Sequence, residues 1–108
     1  MIQLTVLYGH PQDPVAFDRY YQQTHVSLAK KIPGLKGYIA NKPAALNPQE
    51  QTPYYLIAEL YFENMETLQA GVQSPEGQTA AADTQKFATG GLTLVIGEVQ
   101  VYDPVSIR

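Results

Sequence analysis

His25 is the residue of this sequence whose type and position most directly suggest chemistry. It stands four residues after Tyr21, about one turn along a helix, and Tyr38 follows on a segment with a strand-like pattern. An imidazole titrates near neutral pH and can carry a proton, whereas a phenol can hold a substrate oxygen by a hydrogen bond. We therefore expect a general acid/base at His25 and an orienting phenol at Tyr38. The alternatives are a structural histidine that hydrogen-bonds nearby backbone and an ordinary tyrosine at the edge of the core.

Glu59 is a third catalytic candidate, because it is a carboxylate between apolar neighbours in a strand-like run. If its side chain points into the interior of a dimer, burial raises its pKa and suits it to acid or base work. The alternatives are a salt bridge between subunits and a solvated strand position. His10 lies between Gly9 and Pro11 after the first strand, where it rims a pocket or lies in solvent.

Several classes of chemistry are excluded by what the sequence lacks. It has no cysteine, which removes disulfides, thiolate metal sites and cysteine nucleophiles. With two histidines, a structural zinc site has few ligands to use. Glycine-rich phosphate loops and a serine elbow are missing as well, so nucleotide-dependent chemistry is not expected. We expect no metal and no bound cofactor; a haem with His25 as its axial ligand is the alternative.

Composition describes a single globular domain over residues 1–108, with 44% hydrophobic and 16% charged residues. The net charge is −3 and the seven lysines and arginines are scattered, which argues against a nucleic-acid partner. No apolar run reaches membrane-spanning length, and the start of the chain does not have the pattern of a signal segment. The expected location is the cytoplasm.

Hydrophobic periodicity predicts the elements that must position these side chains. Asp13 and Pro14 form a helix start, and Pro33 with Gly34 forms a stop. The predicted segments are a strand over 2–8, a helix over about 14–31, a strand over 36–42, a loop over 43–53, a strand over 54–62, a short helix after Asn64, a helix from Pro75 towards Phe87, and a strand over 92–102. The apolar stripe of the first helix comprises Phe17, Tyr21, Thr24, Leu28 and Ile32, with His25 at its edge.

This order predicts an α+β fold of the ferredoxin-like βαββαβ type, an antiparallel four-stranded sheet with helices on one face. The third strand is apolar on both faces, since Leu56 and Leu60 alternate with Tyr55 and Ile57. The helices shield only one of these faces. A large uncovered apolar face calls for a partner, and a homodimer packed sheet against sheet is the simplest one.

The chain resembles the EthD family, named after ethyl tert-butyl ether degradation, of the dimeric α+β barrel proteins. The residues that carry the resemblance are Phe17, Tyr21, His25, Leu28, Pro33-Gly34-Leu35, Tyr38, the strands over 2–8 and 58–62, Ser74-Pro75-Glu76-Gly77, Asp83 and Phe87. The resemblance implies a barrel-forming homodimer with a small-molecule pocket, and a role beside a cytochrome P450 system. A similar protein is muconolactone methylisomerase, whose histidine and tyrosine match His25 and Tyr38 and whose cysteines have no counterpart here.

From these observations we expect a protein that acts on a small apolar or aromatic oxygenated compound in a degradation or tailoring pathway. As an enzyme it would be a cofactor-independent isomerase or lyase, or a monooxygenase-like oxidoreductase, with a pocket lined by Phe17, Tyr21 and Tyr61. The alternative is a non-catalytic module that binds a small hydrophobic ligand or serves an oxygenase partner. The sequence leaves open whether any reaction is catalysed.

Overall fold

The structure is a computed structural model that describes residues 1–105, and its elements follow the predicted order. They are β1 (Ile2–Gly9), α1 (Pro14–Tyr20), a π-helical turn (Tyr21–His25), α2 (Val26–Ala29), β2 (Gly37–Asn41), β3 (Tyr54–Phe62), α3 (Met65–Gln73), α4 (Pro75–Asp83), a 3-10 turn (Thr84–Lys86) and β4 (Leu92–Glu98). The strands form one antiparallel sheet in the order β2-β3-β1-β4. The ferredoxin-like α+β fold is confirmed, and residues 106–108 of the predicted domain lie outside the described part.

The two faces of the sheet have different surroundings. Strand β3 alternates as predicted: its inward-facing side chains are buried against the helices, and those between them are half-buried. The buried set is Leu56, Ala58, Leu60 and Phe62. The other side of the sheet, which we call the open face, carries Ile39, Ile57, Glu59, Tyr61 and Val95. Within residues 1–105, no helix is long and apolar enough to cross a membrane.

The first helix begins where the sequence predicts. The Asp13 carboxylate accepts a hydrogen bond from the backbone N–H of Ala16 at 3.1 Å, and Pro14 occupies the first turn. The last α-helical residue is Ala29, two residues before the predicted end at Lys31. A difference of this size reflects the fraying of helix ends.

A π-helical turn in the middle of this helix changes which residues face the sheet. The backbone N–H of Val26 bonds to the carbonyl of Tyr21, five residues back. In a regular α-helix, side chains four residues apart are rotated progressively around the helix axis. The wider π-helical turn offsets this rotation. His25 and Ala29 therefore join Tyr21 in the buried stripe. The predicted stripe is corrected accordingly: Thr24 and Leu28 are half-buried at its edge, and His25 lies within it.

Strand β4 is shorter than the predicted 92–102 segment, because its neighbour ends. Its last residue, Glu98, pairs with Ile2, the first residue of β1. One further hydrogen bond joins the N–H of Val99 to the carbonyl of Met1 at 2.9 Å. Beyond that point β1 offers no backbone groups, so the apolar pattern of Val99 and Val101 does not produce more strand.

Helix α4 is placed by a close approach of two backbones. Ser74 caps it by accepting a hydrogen bond from the N–H of Gly77 at 3.0 Å. A Cβ atom on Gly77 would lie 2.1 Å from the carbonyl oxygen of Gly71 and 2.5 Å from that of Val72. Only glycine permits this contact, which fixes α4 against α3. The last residue of α4 is Asp83, so the contact also helps to fix the position of that carboxylate.

Candidate functional site

A cavity of about 160 Å³ lies between the sheet and the helices. Its apolar lining comes from the sheet and from the helices, with Val6, Leu60 and Ala80 among the lining residues. Four polar aromatic side chains also line it: Tyr8, Tyr21, His25 and Tyr38. An engineered cavity of about 150 Å³ in another protein holds one benzene molecule, so the volume suits a single ring. It is far too small for a haem macrocycle.

The mouth of the cavity lies at the edge strand β4. Leu92 and Leu94 both line the cavity, and Leu94 is 57% exposed although it is paired with the buried Val6. An open groove of about 540 Å³ also runs along β2 and shares Tyr21 and Tyr38 with the cavity. We place the site in the cavity between the sheet and the helices, which is more closed than the groove, because electrostatic interactions are stronger where water is displaced.

His25 and Asp83 form a buried pair at the wall of this cavity. The Nδ1 atom of His25 lies 3.0 Å from Oδ2 of Asp83, and the two residues are 5% and 4% exposed. The other carboxylate oxygen, Oδ1, accepts a hydrogen bond of 2.5 Å from the hydroxyl of Tyr20. Burial raises the pKa of Asp83, but the hydrogen bonds from Tyr20 and His25 outweigh it and hold that pKa below its usual value. Asp83 is therefore a carboxylate at neutral pH.

The carboxylate determines which nitrogen of His25 faces a ligand. Asp83 can only accept, so Nδ1 of His25 must carry the proton that joins them. Among residues 1–105, Nε2 has no hydrogen-bond partner. In the same part of the chain, every side-chain nitrogen or oxygen atom that is fully shielded from solvent has a partner. Nε2 therefore retains accessible surface, and in the neutral form of the ring it is the nitrogen that can accept a proton. This is the arrangement of a general base with an orienting carboxylate.

Tyr21 and Tyr38 form a second polar pair in the cavity. Their hydroxyl oxygens are 2.5 Å apart, and either hydroxyl can donate. Burial raises the pKa of Tyr21, and that of Tyr38 is also raised by burial although the hydrogen bond from Tyr21 opposes it. Both phenols are neutral at neutral pH. When Tyr21 donates, the O–H of Tyr38 is free to donate to a bound molecule.

The structure separates the remaining predicted site residues from this cavity. Glu59 and Tyr61 lie on the open face, where the Tyr61 hydroxyl donates to Oε2 of Glu59 at 2.6 Å. Burial and this carboxylate raise the pKa of Tyr61 to about 12. Phe17 is buried but does not line the cavity; its ring packs against Tyr21 with a centroid distance of 5.9 Å.

His10 lies away from the cavity. Its ring is exposed, and Nε2 is 2.8 Å from the carbonyl oxygen of Thr52. Within the described part of the chain, no group of three or more histidine, cysteine, aspartate or glutamate residues is close enough to hold a metal ion.

Sequence reasoning assigned no role to three residues of the site, Tyr8, Tyr20 and Asp83. Asp83 follows His25 by 58 positions, so only the fold brings the two side chains together. A signal was present: a single acidic residue ends an alanine-rich helix that is otherwise free of charge after Glu76. Tyr8 continues the alternating pattern of β1 and was not distinguished from a core residue.

The fold and the site define a ferredoxin-like α+β protein with a partly enclosed, ring-sized cavity and a histidine that is hydrogen-bonded to a carboxylate. The chain belongs to the EthD family, since the EthD domain matches residues 9–91. It is 40% identical over 104 residues to an uncharacterized 11.0 kDa protein from the thcB-thcC intergenic region of Rhodococcus erythropolis, covering 96% of this chain and 100% of that one. An EthD family protein from Bacillus halodurans has 38% identity and a TM-score of 0.86, over 93% of this chain and 99% of that one.

More distant structures share the fold alone. A dimeric ferredoxin-like protein from Thermobifida fusca has 15% identity and a TM-score of 0.68, over 91% of this chain and 90% of that one. Hydroxynitrile lyase from Passiflora edulis has 11% identity and a TM-score of 0.73, over 95% and 97%. A cofactor-independent oxygenase from Streptomyces nogalater has 9% identity and a TM-score of 0.63, over 94% and 96%.

Proposed function

We propose that this protein is an enzyme that transfers a proton within a small apolar or aromatic oxygenated compound bound between the sheet and the helices. His25 acts as the general acid/base, Asp83 orients its ring, and Tyr38 holds a substrate oxygen. One observation carries the proposal: a buried imidazole that lines the cavity has one nitrogen held by a carboxylate, and its other nitrogen has no hydrogen-bond partner among residues 1–105. A cavity that only stored a ligand has no need of a buried carboxylate, since its desolvation is costly.

The chemistry follows from the arrangement of charges. When Nε2 of His25 takes a proton, the imidazolium that forms lies 3.0 Å from the Asp83 carboxylate, which stabilises it. The carboxylate itself keeps its two hydrogen bonds throughout. The same imidazolium can then return the proton to another atom of the substrate. This reaction needs no electron acceptor, which agrees with a cofactor-independent isomerase or lyase.

Neighbours of the same fold support chemistry of this kind. They include a lyase and a cofactor-independent oxygenase, so the fold hosts reactions on small organic molecules. The Bacillus halodurans relative belongs to a family named after ethyl tert-butyl ether. We accordingly propose that the reaction belongs to a degradation or tailoring pathway for oxygenated compounds.

We further propose that two chains associate through the open face. Ile39 and Val95 on that face are 39% and 47% exposed, and the neighbouring Ile57 is only half-covered. Two of the solved structures with this fold are described as dimeric. In such a dimer Glu59 and Tyr61 lie between the subunits, where they contribute to association and not to the proton transfer.

The proposed role of His25 is tested by incubating a panel of single-ring oxygenated compounds with the protein in D₂O. A proton taken and returned by His25 exchanges with solvent, so the wild type should introduce deuterium into a compound of the panel, as seen by mass spectrometry. His25→Gln should lower that rate by about 10²-fold or more. His10→Gln, the matched control, should leave it unchanged. Compounds that bind in the cavity and return without deuterium would contradict the proposal and favour a binding module.

A further inference from the structure

Tyr8 is almost completely buried, yet its hydroxyl has no hydrogen-bond partner among residues 1–105. The residue is 1% exposed. In that part of the chain, every side-chain oxygen that is fully shielded from solvent has a partner, so Oη must retain some accessible surface. Tyr8 also lines the cavity. A buried donor without a partner costs free energy, so a ligand oxygen at this place is stabilising.

The ring of Tyr8 is held so firmly that its hydroxyl has a defined direction. Its centroid lies 5.4 Å from that of Phe17, 5.8 Å from that of Tyr21 and 5.6 Å from that of Phe87. The ring of His25 packs against two of the same rings, 5.4 Å from Tyr21 and 4.7 Å from Phe87. Tyr8 and His25 thus pack against shared rings and line the same cavity, and neither the Tyr8 hydroxyl nor Nε2 of His25 has a hydrogen-bond partner among residues 1–105.

The phenols of the cavity act as donors. Burial raises the pKa of Tyr8, and the nearby Tyr38 and Asp83 raise it further. The same holds for burial at Tyr21 and Tyr38, so every phenol in the lining keeps its proton at neutral pH. No lysine or arginine lines the cavity. A ligand that is permanently charged would find no counter-ion there, whereas a neutral ligand whose oxygen becomes negative during the reaction would find donors.

We propose that Tyr8 contacts the substrate directly, and that together with Tyr38 it donates hydrogen bonds to the carbonyl oxygen of a small, ring-sized, enolisable ketone. This proposal names the substrate class of the site described above, and it rests on the proposed function for the base. The apolar wall around Val6, Leu60 and Ala80 accommodates the hydrocarbon part. The proton to be removed faces His25.

The reaction step balances without a further reactant. Nε2 of His25 takes a proton from the carbon next to the carbonyl group. The electron pair of that C–H bond forms a carbon–carbon double bond, and the carbonyl π pair moves to oxygen, which becomes an enolate oxygen held by Tyr8 and Tyr38. Return of the proton from the imidazolium, to the same carbon or to a conjugated one, restores the ketone. No electron is gained or lost.

A phenolate is a stable mimic of an enolate, so 4-nitrophenol is a suitable probe. Its ionised form absorbs visible light, and a titration therefore reports both its affinity and its pKa in the cavity. The wild type should bind it as the phenolate and lower its pKa. Tyr8→Phe removes one donor and keeps the ring, so it should weaken phenolate binding by roughly tenfold or more. Tyr61→Phe removes a phenol from the open face and should leave the affinity and the pKa of the probe unchanged.

Two results would overturn the inference: an equal affinity and pKa of the probe in Tyr8→Phe and wild type, or binding of 4-nitrophenol as the neutral phenol. The melting temperature of each variant shows whether it is folded. In the wild type alone, affinity for a series of 4-substituted phenols should rise with their acidity, and a flat series would contradict the inference. If His25→Gln loses deuterium exchange while Tyr8→Phe binds the probe normally, the oxygen site is wrong and the proposed function stands. If Tyr8→Phe weakens binding of the probe while His25→Gln leaves deuterium exchange unchanged, the oxygen site stands and the proposed function is wrong.

Discussion

At the scale of single residues, the account depends on one long-range pair. His25 is on the first helix and Asp83 is at the end of α4. The proposed proton transfer depends on both residues. The carboxylate keeps the proton on Nδ1, and Tyr20 holds the carboxylate. Asp83 is therefore a positioning residue, whose effect on a substrate passes through the imidazole.

Asp83→Asn tests this positioning role. The carboxamide has nearly the same shape, but it neither requires the proton on Nδ1 nor stabilises an imidazolium. We expect deuterium exchange with substrate to fall by about 10²-fold. Asp18→Asn is the matched control, because Asp18 also accepts a hydrogen bond from a tyrosine, Tyr55 at 2.9 Å, and it is half-buried and does not line the cavity. Equal loss in both variants would show that the effect is general destabilisation.

Stability at acid pH gives an independent prediction. Since the pKa of Asp83 is lower in the folded protein than its ordinary value, its charge stabilises the fold above about pH 4, where the unfolded carboxyl is ionised. That stabilisation is lost as the pH falls through the folded pKa. The difference in melting temperature between wild type and Asp83→Asn should therefore be largest near neutrality and shrink on acidification. A difference independent of pH between 7 and 2 would contradict this.

At the scale of elements, the positions of two helices bring the pair together. The π-helical turn brings His25 into the buried stripe, and the glycine contact between α3 and α4 places Asp83. Helix starts and strand alternation could be predicted, because they follow from local residue types such as Asp13-Pro14. The π turn could not, since Tyr21 to Val26 shows no local signal for a wider turn. The extent of β4 depended on where β1 begins, which its own residues do not encode.

Gly77→Ala tests the element that carries Asp83. The added Cβ would overlap the backbone carbonyl groups of Gly71 and Val72, so α4 must shift away from α3. We expect the melting temperature to fall by roughly 5 °C or more, and deuterium exchange to fall with it. Gly97→Ala is the control, because a Cβ there meets nothing within 4 Å in the single chain; since Gly97 lies on the open face, its variant is first checked for the same mass as the wild type in light scattering. Similar melting temperatures for the two variants would show that the close contact does not constrain α4.

At the scale of the whole molecule, the two faces of the sheet have different surroundings. The face towards the helices lines the cavity, and the open face is where we propose that two chains associate. Strand alternation alone predicts that the side chain of Glu59 lies on the other face of the sheet from those of its neighbours Ala58 and Leu60. Joining Tyr38 to the buried side required the register of β2 with β3, which pairs Tyr38 with Leu60. The sequence therefore allowed the faces of each strand to be predicted, but not which candidates share a cavity.

The proposed dimer can be tested by a matched pair of valine substitutions. Val95→Glu places a charge on the open face and should convert the dimer to the monomer of 11.9 kDa in light scattering after size exclusion. Val15→Glu, at a valine that is 68% exposed on α1, should leave the dimer intact. A monomeric wild type, or equal masses for both variants, would contradict association through this face.

The ring nitrogens of His25 provide the most direct test of the central claim. Nitrogen NMR of protein with labelled histidine, at a pH where imidazole is neutral, resolves Nδ1 and Nε2, and His10→Gln assigns the signals of the other histidine. We predict a protonated Nδ1 and an unprotonated Nε2 in the free protein, with a large change at Nε2 when phenol fills the cavity. A proton on Nε2 of the free protein, or an Nε2 signal that saturating phenol leaves unmoved, would contradict the account.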